Sequence, residues 1–490
     1  MLNVFAARRV AEIEAGTLKP PRSERSGRKA APGAVPGPPP KPVKTITVLE
    51  GLAATGLRAI RYALEVDAVS RVVANDADPA AVASIARNVA SNGGAAAAKV
   101  EPSLGDARAA CLAAPSGFDV VDLDPYGSPA IFLEAALVAV AHGGLLAVTA
   151  TDMAVLCGAN PGSAYAKYGS FPLHRAYGHE QGLRILLAAV EAAAARAGKG
   201  ITPLLSVSVD FYVRAFVRVH ASPAAAKLSS TRLSTVWQST GCDAFSLAPL
   251  GRMVSKGGKP ALLKPGAPPD GGGVCAETGA RVVLGGPMWN GPLHDQGFVA
   301  DLIAEVDAGG PSRYPSAPRV RALLAAVSEE LPDAPLYYNV HDLCRTVRCT
   351  PPPADAIRSA LVNQGHRVSG THANPLGLKT DAPSAVVWDV MRCWVAAHPP
   401  PRPAEAGSPA AILLAKQPEF KANFSRAPGA LSAARGAKVA RFLPNPEPFW
   451  GPKARAGTGA KARRQAAAND ARAAAKAAVA ADTKVGGERA

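Results

Sequence analysis

The chain has 490 residues, enough for two or three domains with cores of their own, and it contains no apolar run that approaches the length of a membrane span. Its 54 Lys and Arg against 38 Asp and Glu give a formal net charge of +16, which is large for an enzyme of small metabolites and favours a polyanionic partner such as nucleic acid. Seven scattered cysteines resemble no disulfide framework and indicate a reducing compartment.

The first part of the chain predicts a helix and linker followed by an α/β domain. Residues 1–43 comprise a short helix and a Pro-, Gly- and Lys/Arg-containing segment that we expect to be disordered. From residue 44, β-rich runs alternate with Ala- and Leu-rich helical stretches, which is typical of a parallel sheet with crossover helices. We predict strands at residues 45–50, 71–75, near 100, 119–123, 145–149, 204–209 and 212–219, and helices at residues 55–65, 79–91, 130–141 and 183–195.

The second part of the chain loses this rhythm and predicts a C-terminal α+β domain. Two short helices at residues 340–347 and 354–363, followed by a strand-like run at 367–369, have the order of a winged-helix segment, which often contacts nucleic acid. Gly and Pro around residues 289–295 predict a loop held against the first domain. We therefore divide the chain into residues 1–43, a first domain at 44–222, a second at 223–398, and a Pro/Ala-rich segment with a basic tail at 399–490.

The loop after the first predicted strand is rich in small residues. The strand ends at Glu50 and continues as Gly51-Leu-Ala-Ala-Thr-Gly56 before a helix begins. Small residues there let the backbone approach a ligand closely, and the helix N-terminus favours anionic groups. Alanine at the middle position departs from the dinucleotide fingerprint, so an amino-acid carboxylate with a nucleoside fits better than a dinucleotide.

Acidic residues follow the next predicted strands. Asp76 lies where ribose hydroxyls are usually bound, and Asp106-Ala107 would face an adenine amine. After the fourth strand comes Asp122-Leu-Asp-Pro-Tyr-Gly-Ser-Pro129, whose Asp124, Pro125 and Tyr126 fall on the loop because proline cannot extend the strand. A carboxylate and a backbone carbonyl can accept the hydrogens of an exocyclic amine while the ring stacks on the base. Each acid singly is as well explained by a cap or a solvated turn, but together they indicate an S-adenosylmethionine-dependent methyltransferase.

These segments resemble the tRNA (guanine(26)-N(2))-dimethyltransferase family. The resemblance also includes Tyr165-Ala-Lys-Tyr-Gly169, Asp210-Phe-Tyr-Val-Arg214, Gly285-Gly-Pro-Met-Trp289 and Lys379-Thr-Asp-Ala382, and it spans roughly residues 44–452, with a family-like island at 441–453. It implies a Rossmann-like class I methyltransferase domain with a tRNA-binding C-terminal domain. It implies further that Arg58, Asp76, Asp106 and Ala107 contact the cofactor together with Glu50, Gly51 and Gly56. Asp124, Pro125 and Tyr126 would hold the guanine, and Asp122 is a candidate helper or a purely structural residue.

The sequence departs from this family in two places. Many relatives carry an Asn-Arg-Asp segment before the first strand. This chain begins with a stretch that resembles the helix just after that segment, so the motif is missing here, through a truncated gene model or true loss. Relatives also often present two Cys-x-x-Cys pairs for zinc, and here the pairs appear as Ser239…Cys242 and Cys275…Thr278. Two thiolates are a poor tetrahedral set, so we expect no bound metal.

Two other functions remain open at this stage. The same loop chemistry would serve an adenine 6-amine, and a catalytically weak tRNA-binding or tRNA-folding protein would explain the N-terminal departure and the basic tail. We expect tRNA as the partner, no membrane association and no obligate protein partner. The Pro/Ala-rich insertions and basic tail resemble a eukaryotic version of the family, so we expect the nucleus, with the mitochondrion or plastid as alternatives.

Overall fold

Seven strands form the central sheet of the computed structural model, which describes residues 1–15, 17–18, 45–255, 261–269, 273–436, 439 and 441–443. They are β1 (Ile46–Glu50), β2 (Val69–Asp76), β3 (Val100–Leu104), β4 (Phe118–Leu123), β5 (Val140–Ala150), β6 (Lys199–Val209) and β7 (Tyr212–Ala221). Their order is β3-β2-β1-β4-β5-β7-β6, with β1 to β5 parallel and β7 antiparallel to both of its neighbours. The predicted parallel sheet with crossover helices is therefore confirmed, with an antiparallel pair added at one edge.

Helices surround this sheet and connect its strands. They are α1 (Leu2–Glu14), α2 (Leu57–Glu65), α3 (Pro79–Asn92), α4 (Gly94–Lys99), α5 (Ala107–Leu112), α6 (Leu133–Ala139), α7 (Met153–Leu156), α8 (Pro161–Tyr168), α9 (Gly178–Arg196) and α10 (Pro223–Lys227). The predicted helix at 130–141 is wrong at both ends. A 3-10 turn, Ala130–Phe132, precedes α6, and residue 140 already pairs with Phe118 as part of β5.

The two faces of the sheet carry separate hydrophobic cores because successive strand residues point in opposite directions. Leu49, Val121 and Leu146 pack on the face covered by α9, while their neighbours Val48, Val120 and Leu145 pack on the face covered by α1, α2 and α3. Both sets are fully buried. A parallel sheet covered on both faces fixes the loops at the carboxyl ends of its strands, where ligands bind in this class of fold.

The later residues build smaller sheets. Their strands are β8 (Leu233–Ser239), β9 (Phe245–Pro249), β10 (Gly251–Val254), β11 (Leu262–Pro265), β12 (Val282–Trp289), β13 (Tyr338–Asn339), β14 (Val368–Thr371) and β15 (Asn374–Thr380). Their sheets have the orders β12-β8-β9, β10-β11 and β13-β15-β14. The helices are α11 (Gln296–Arg313), α12 (Ala317–Ser328), α13 (Val340–Val347), α14 (Ala354–Asn363), α15 (Ser384–Ala397), α16 (Pro409–Ala415) and α17 (Ala433–Gly436), with a 3-10 turn at Ser229–Arg232.

The predicted order of two helices followed by a hairpin is confirmed, whereas the likeness to a winged helix stays a prediction. The helices α13 and α14 have the predicted bounds, and β14 and β15 form the expected hairpin after them. No helix among the described residues is long and apolar enough to cross a membrane. The predicted linker from residue 19, the island beyond residue 443 and the basic tail lie outside the described residues.

The outer edge of β6 is covered by imidazole side chains. The backbone N–H of Ser206 donates to Nδ1 of His294 at 3.3 Å, and that of Ser208 donates to Nε2 of His372 at 2.9 Å. Both histidines are buried and come from the later part of the chain. Because β7 is the one strand paired with β6 among the described residues, these contacts supply acceptors that a second neighbouring strand would otherwise give. The loop around residues 289–295 is thus held against the first sheet, as the sequence predicts.

A buried cluster of charges joins α9 to β15. Lys379 Nζ lies 2.8 Å from Glu180 Oε1 and 3.7 Å from Glu330 Oε2, and Arg184 Nε donates to Glu180 at 2.9 Å. Burial raises the pKa of Glu180, but the charges of Lys379 and Arg184 outweigh it and hold that pKa below its ordinary value. Glu180 is therefore an ionised carboxylate whose partners come from two parts of the chain.

Candidate active site

The carboxyl ends of β1, β2 and β4 open into one cavity of about 1000 Å³. Glu50, Asp76 and Asp124 line it from the ends of those three strands, together with Pro125 and Tyr126. Residues of α1, α2, α11 and α12 close the opposite side. The structure thus brings together three of the acids that the sequence places after separate strands, and Asp106 is not among the lining residues.

The loop after β4 is held rigidly. Its Gly127 N–H donates to Thr151 Oγ1 at 2.7 Å, and the Thr151 N–H donates back to the Gly127 carbonyl at 2.9 Å. Pro125 is buried, whereas the Tyr126 side chain is fully exposed beside the cavity. A solvent-facing aromatic ring next to an acceptor suits a planar base that enters from solution.

Two carboxylates and two guanidinium groups form a cluster at the end of β4. Asp122, with no exposed surface, accepts from Arg214 Nη2 at 2.7 and 2.8 Å and from Tyr62 at 2.6 Å. Arg58 Nη1 lies 3.2 Å from Asp122, and its Nη2 donates to Asp124. Arg214 Nη1 lies 3.7 Å from the other oxygen of Asp124. Asp122 is thus the buried anchor of the cluster, and Asp124 is its cavity-facing member.

The charges around Asp124 keep its carboxyl ionised. Burial raises the pKa of Asp124, but the nearby Arg58 and Arg214 outweigh burial and hold that pKa below its ordinary value. A carboxylate whose pKa lies below its ordinary value is a weaker base than a free one. It is, however, a strong hydrogen-bond acceptor and a fixed negative charge, which is the property needed beside a nitrogen that becomes positive.

The residues after β1 and β2 fit the amino-acid and ribose parts of S-adenosylmethionine. Glu50 is buried and its Oε2 has no hydrogen-bond partner, so an acceptor is left for a cationic group. A Cβ on Gly51 would approach Leu123 to 3.2 Å, so the backbone there has no room for a larger residue. Asp76 accepts from the Ala54 N–H at 2.8 Å, which ties the end of β2 to the loop after β1.

Gly51 and three further predicted cofactor residues are not among the residues that line the cavity. Gly56 has φ +73° at the start of α2, and a Cβ there would meet Ile85 at 3.0 Å. Asp106 caps α5 through the Arg108 N–H at 2.8 Å and also pairs with the Arg108 side chain. Ala107 is buried against the Gly51 position. The roles of these three residues toward a cofactor stay predictions.

The four positions of the predicted incomplete zinc site do come together. Cys242 Sγ lies 3.8 Å from Cys275 Sγ and 3.5 Å from Ser239 Oγ, while Thr278 Oγ1 accepts from the Ala280 N–H. The cluster therefore offers two thiols and two hydroxyls, and hydroxyls are not among the usual zinc ligands. The absence of a bound metal stays a prediction.

One group among the described residues has the spacing of a metal site. The ligand atoms of His294, Glu330 and His372 all lie within 4.8 Å of one another. Both ring nitrogens of His372 are engaged, however, since Nδ1 contacts Glu330 Oε1 at 2.6 Å and Nε2 accepts from the Ser208 N–H. This triad is better explained as the hydrogen-bonded cover of β6 than as a metal centre.

Sequence reasoning missed Arg214 and Tyr62 as members of the site. Arg214 lies on β7, 92 positions from the Asp122 that it contacts, and Tyr62 lies on the second turn of α2. Only the resemblance pointed to Arg214, as the last residue of the 210–214 segment. The signal for Tyr62 is its spacing of four residues from Arg58, which places both side chains on one face of α2.

Comparison with known proteins identifies the relatives of this chain. A family model described as N2,N2-dimethylguanosine tRNA methyltransferase matches residues 9–392. The chain is 51% identical to tRNA (guanine(26)-N(2))-dimethyltransferase 1 of Arabidopsis thaliana over 85% of this chain and 70% of that protein. It is 34% identical to the mitochondrial tRNA (guanine(26)-N(2))-dimethyltransferase of Saccharomyces cerevisiae over 84% and 76%, respectively. Among solved structures, Trm1 of Pyrococcus horikoshii in complex with S-adenosyl-L-methionine aligns with a TM-score of 0.59 at 30% identity, over 70% of this chain and 88% of that one.

Proposed function

Because the chain belongs to the N2,N2-dimethylguanosine tRNA methyltransferase family, we propose that it transfers methyl groups from S-adenosylmethionine to the exocyclic 2-amine of a guanine in tRNA, at position 26 by resemblance. The observation that carries this proposal is the rigid loop of Asp124, Pro125 and Tyr126 on the cavity shared with Glu50 and Asp76. It places an amine acceptor and a stacking ring beside the residues proposed to hold the methyl donor.

Asp124 is the proposed catalytic acceptor. The lone pair of the guanine 2-amine is delocalised into the ring, so the amine is a poor nucleophile. A hydrogen bond from the amine to the Asp124 carboxylate favours a more tetrahedral nitrogen and stabilises the positive charge that develops on it. The Pro125 carbonyl is proposed to accept the second amine hydrogen, and Tyr126 to stack on the base. As the bond between nitrogen and the methyl group forms, the bond between that methyl group and sulfur breaks, S-adenosylhomocysteine is released, and the methylated nitrogen loses one proton to solvent. Alignment of the amine with the methyl group supplies most of the acceleration.

The cofactor supplies the methyl group on a sulfonium centre. Glu50 is proposed to accept its ammonium group, Arg58 to pair with its carboxylate and Asp76 to accept from its ribose hydroxyls. Gly51 and Gly56 leave room for its approach, and Asp106 with Ala107 is proposed to face its adenine. In this assignment the amino-acid end of the cofactor faces the residues after β1, the ribose faces Asp76 after β2, and the adenine faces the residues after β3.

Residues 223–398 are proposed to form a second domain that binds tRNA. The winged-helix-like segment and the positive charge of the chain support this role, since phosphate contacts from Lys and Arg add affinity that falls with salt. A base inside folded tRNA must be turned out of its stack, and such contacts offset that cost. We propose no obligate protein partner, and the nucleus as location, with mitochondrion and plastid as alternatives. A fluorescent fusion of the full chain would distinguish these locations.

The experiment that tests this function compares wild type, Asp124→Ala and Asp152→Asn with unmodified tRNA. Asp152 is the matched control, since its carboxylate follows the neighbouring strand β5 but is engaged by Lys167 at 3.0 Å and Tyr168 at 2.7 Å. Nucleoside analysis should find N2-methylguanine and N2,N2-dimethylguanine with wild type and the control, and almost none with Asp124→Ala. Methylation at an adenine 6-amine, or tRNA binding without any methylation, would contradict the proposal.

A further inference from the structure

The contact between Arg58 and Asp124 occupies the acceptor that the proposed reaction needs. Arg58 Nη2 donates to one oxygen of Asp124, and Arg214 Nη1 lies 3.7 Å from the other. An amine hydrogen would therefore compete with a guanidinium for the same carboxylate. A positive charge held on Asp124 would also oppose the charge that forms on the amine nitrogen.

The two arginines are held very differently. Arg214 is 13% exposed, lies on β7, and is fixed by both oxygens of Asp122 and by Thr149. Arg58 is 32% exposed, lies on the first turn of α2, and reaches Asp122 through a single nitrogen at 3.2 Å. If Arg58 leaves, Asp122 keeps Arg214 and Tyr62 as partners. Arg58 can therefore move while Asp122 keeps its three shortest hydrogen bonds, whereas movement of Arg214 would break two of them.

A carboxylate that enters the cavity has a clear partner in Arg58. The described arginines that line the cavity are Arg58, Arg61 and Arg214. Arg61 already makes two hydrogen bonds to Glu65, at 2.7 and 2.9 Å, and Arg214 is fixed as above. Arg58 lies 3.9 Å from Glu50, the proposed acceptor of the cofactor ammonium. The amino-acid end of the cofactor would thus place its carboxylate beside the one arginine that can turn toward it.

We propose that Arg58 is a positioning residue that couples cofactor binding to capture of the guanine amine. It covers Asp124 until the carboxylate of the cofactor draws its guanidinium away, and Asp124 then becomes free to accept the amine hydrogens. This inference rests on the proposed function, because it takes Asp124 as the amine acceptor. It predicts that cofactor and target guanine bind cooperatively, and that the cooperativity depends on the carboxylate of the cofactor.

The test measures the affinity of the full chain for a tRNA transcript with and without a cofactor-derived ligand. S-adenosylhomocysteine carries the carboxylate, and 5′-methylthioadenosine lacks the whole amino-acid part. With wild type, S-adenosylhomocysteine should tighten tRNA binding about tenfold, within the usual range of such couplings, and 5′-methylthioadenosine should change it less than about twofold. A transcript with inosine at the target position, which lacks the 2-amine, should show no coupling.

Variants separate the contact from other effects. In Arg58→Gln, Asp124 is free at all times, so the coupling should fall below about twofold, whereas the control Arg61→Gln should keep it. Asp124→Asn should also lose the coupling while still binding S-adenosylhomocysteine. This second variant tests the inference if Arg58→Gln folds poorly. Equal coupling in wild type and Arg58→Gln, or none in wild type, would overturn the inference. Methylation of guanine by wild type in the same preparations shows separately whether the proposed function holds.

Discussion

Replacing Lys379 by Met should destabilise the protein strongly because it removes one of the two buried cations that contact Glu180, the one that also faces Glu330. Lys379 Nζ is 1% exposed and lies 2.8 Å from Glu180 and 3.7 Å from Glu330, and both carboxylates are themselves buried. Met keeps the length of the side chain, so packing changes little and the charge is the main loss. Removing one partner of a buried ion pair costs about 3–5 kcal/mol, a large part of the ~5–15 kcal/mol by which proteins are stable.

The assay is urea unfolding followed by tryptophan fluorescence, with Lys167→Met as control. Lys167 pairs with Asp152 at 3.0 Å, nearly the same distance, but its side chain is 40% exposed, so this substitution should cost about 1 kcal/mol or less. The double variant Lys379→Met/Glu180→Gln should lose less stability than the sum of the two single losses, because it removes the paired charges together and still leaves Arg184 an amide oxygen as acceptor. A loss for Lys379→Met as small as that of the control would refute the reasoning.

Three further outcomes concern pH, cofactor affinity and metal content. Burial lowers the pKa of His294, and burial with the Arg218 charge lowers that of His220 to about 4. The unfolded chain therefore binds more protons than the folded chain in mild acid. The free energy of unfolding should fall from about pH 7 to pH 5, by up to ~1.4 kcal/mol per pH unit for each histidine. Equal stability at both pH values would contradict this expectation. Burial, with the nearby Asp122 charge, raises the pKa of Glu50 to about 8. Binding of S-adenosylhomocysteine, measured by calorimetry, should therefore tighten up to about tenfold per pH unit between about pH 6 and 8. The variant Glu50→Gln should abolish that pH dependence. Elemental analysis should find less than one zinc per chain, and stoichiometric zinc that is lost in Cys242→Ala would be inconsistent with the two-thiol site.

The sheet could be predicted because its signals are local. Short apolar runs of strand length, each followed by a helical stretch, predict β1, β2 and β4 and the alternation of strands with helices along the chain. Asp124 could be placed just after a strand because Pro125 cannot extend it, and β4 does end at Leu123. The boundary near residue 140 could not be read in this way, since Ala and Val suit both a helix and a buried strand, and the pairing with Phe118 decides it.

The partners of the site acids could not be predicted, because they depend on how the chain returns to the sheet. Arg214 reaches Asp122 only because β7 pairs with β5 in antiparallel register, which places Thr149 opposite Arg214. The acceptors for the N–H groups of Ser206 and Ser208 on β6 come from His294 and His372, which lie 88 and 164 positions away from their donors. No periodicity or turn signal carries such information, whereas each contact is plain once the strands are in place.

The covered edge of β6 also decides how this chain can be divided. A fragment ending near residue 222 would contain all seven strands of the first sheet, yet it would lack His294 and His372 and leave the N–H groups of Ser206 and Ser208 exposed. An unprotected edge strand recruits other strands and promotes aggregation. The later residues therefore protect the edge of the first sheet from pairing with other strands. A fragment meant to carry the chemistry alone would need that edge blocked by other means, such as a charged residue or a proline on β6.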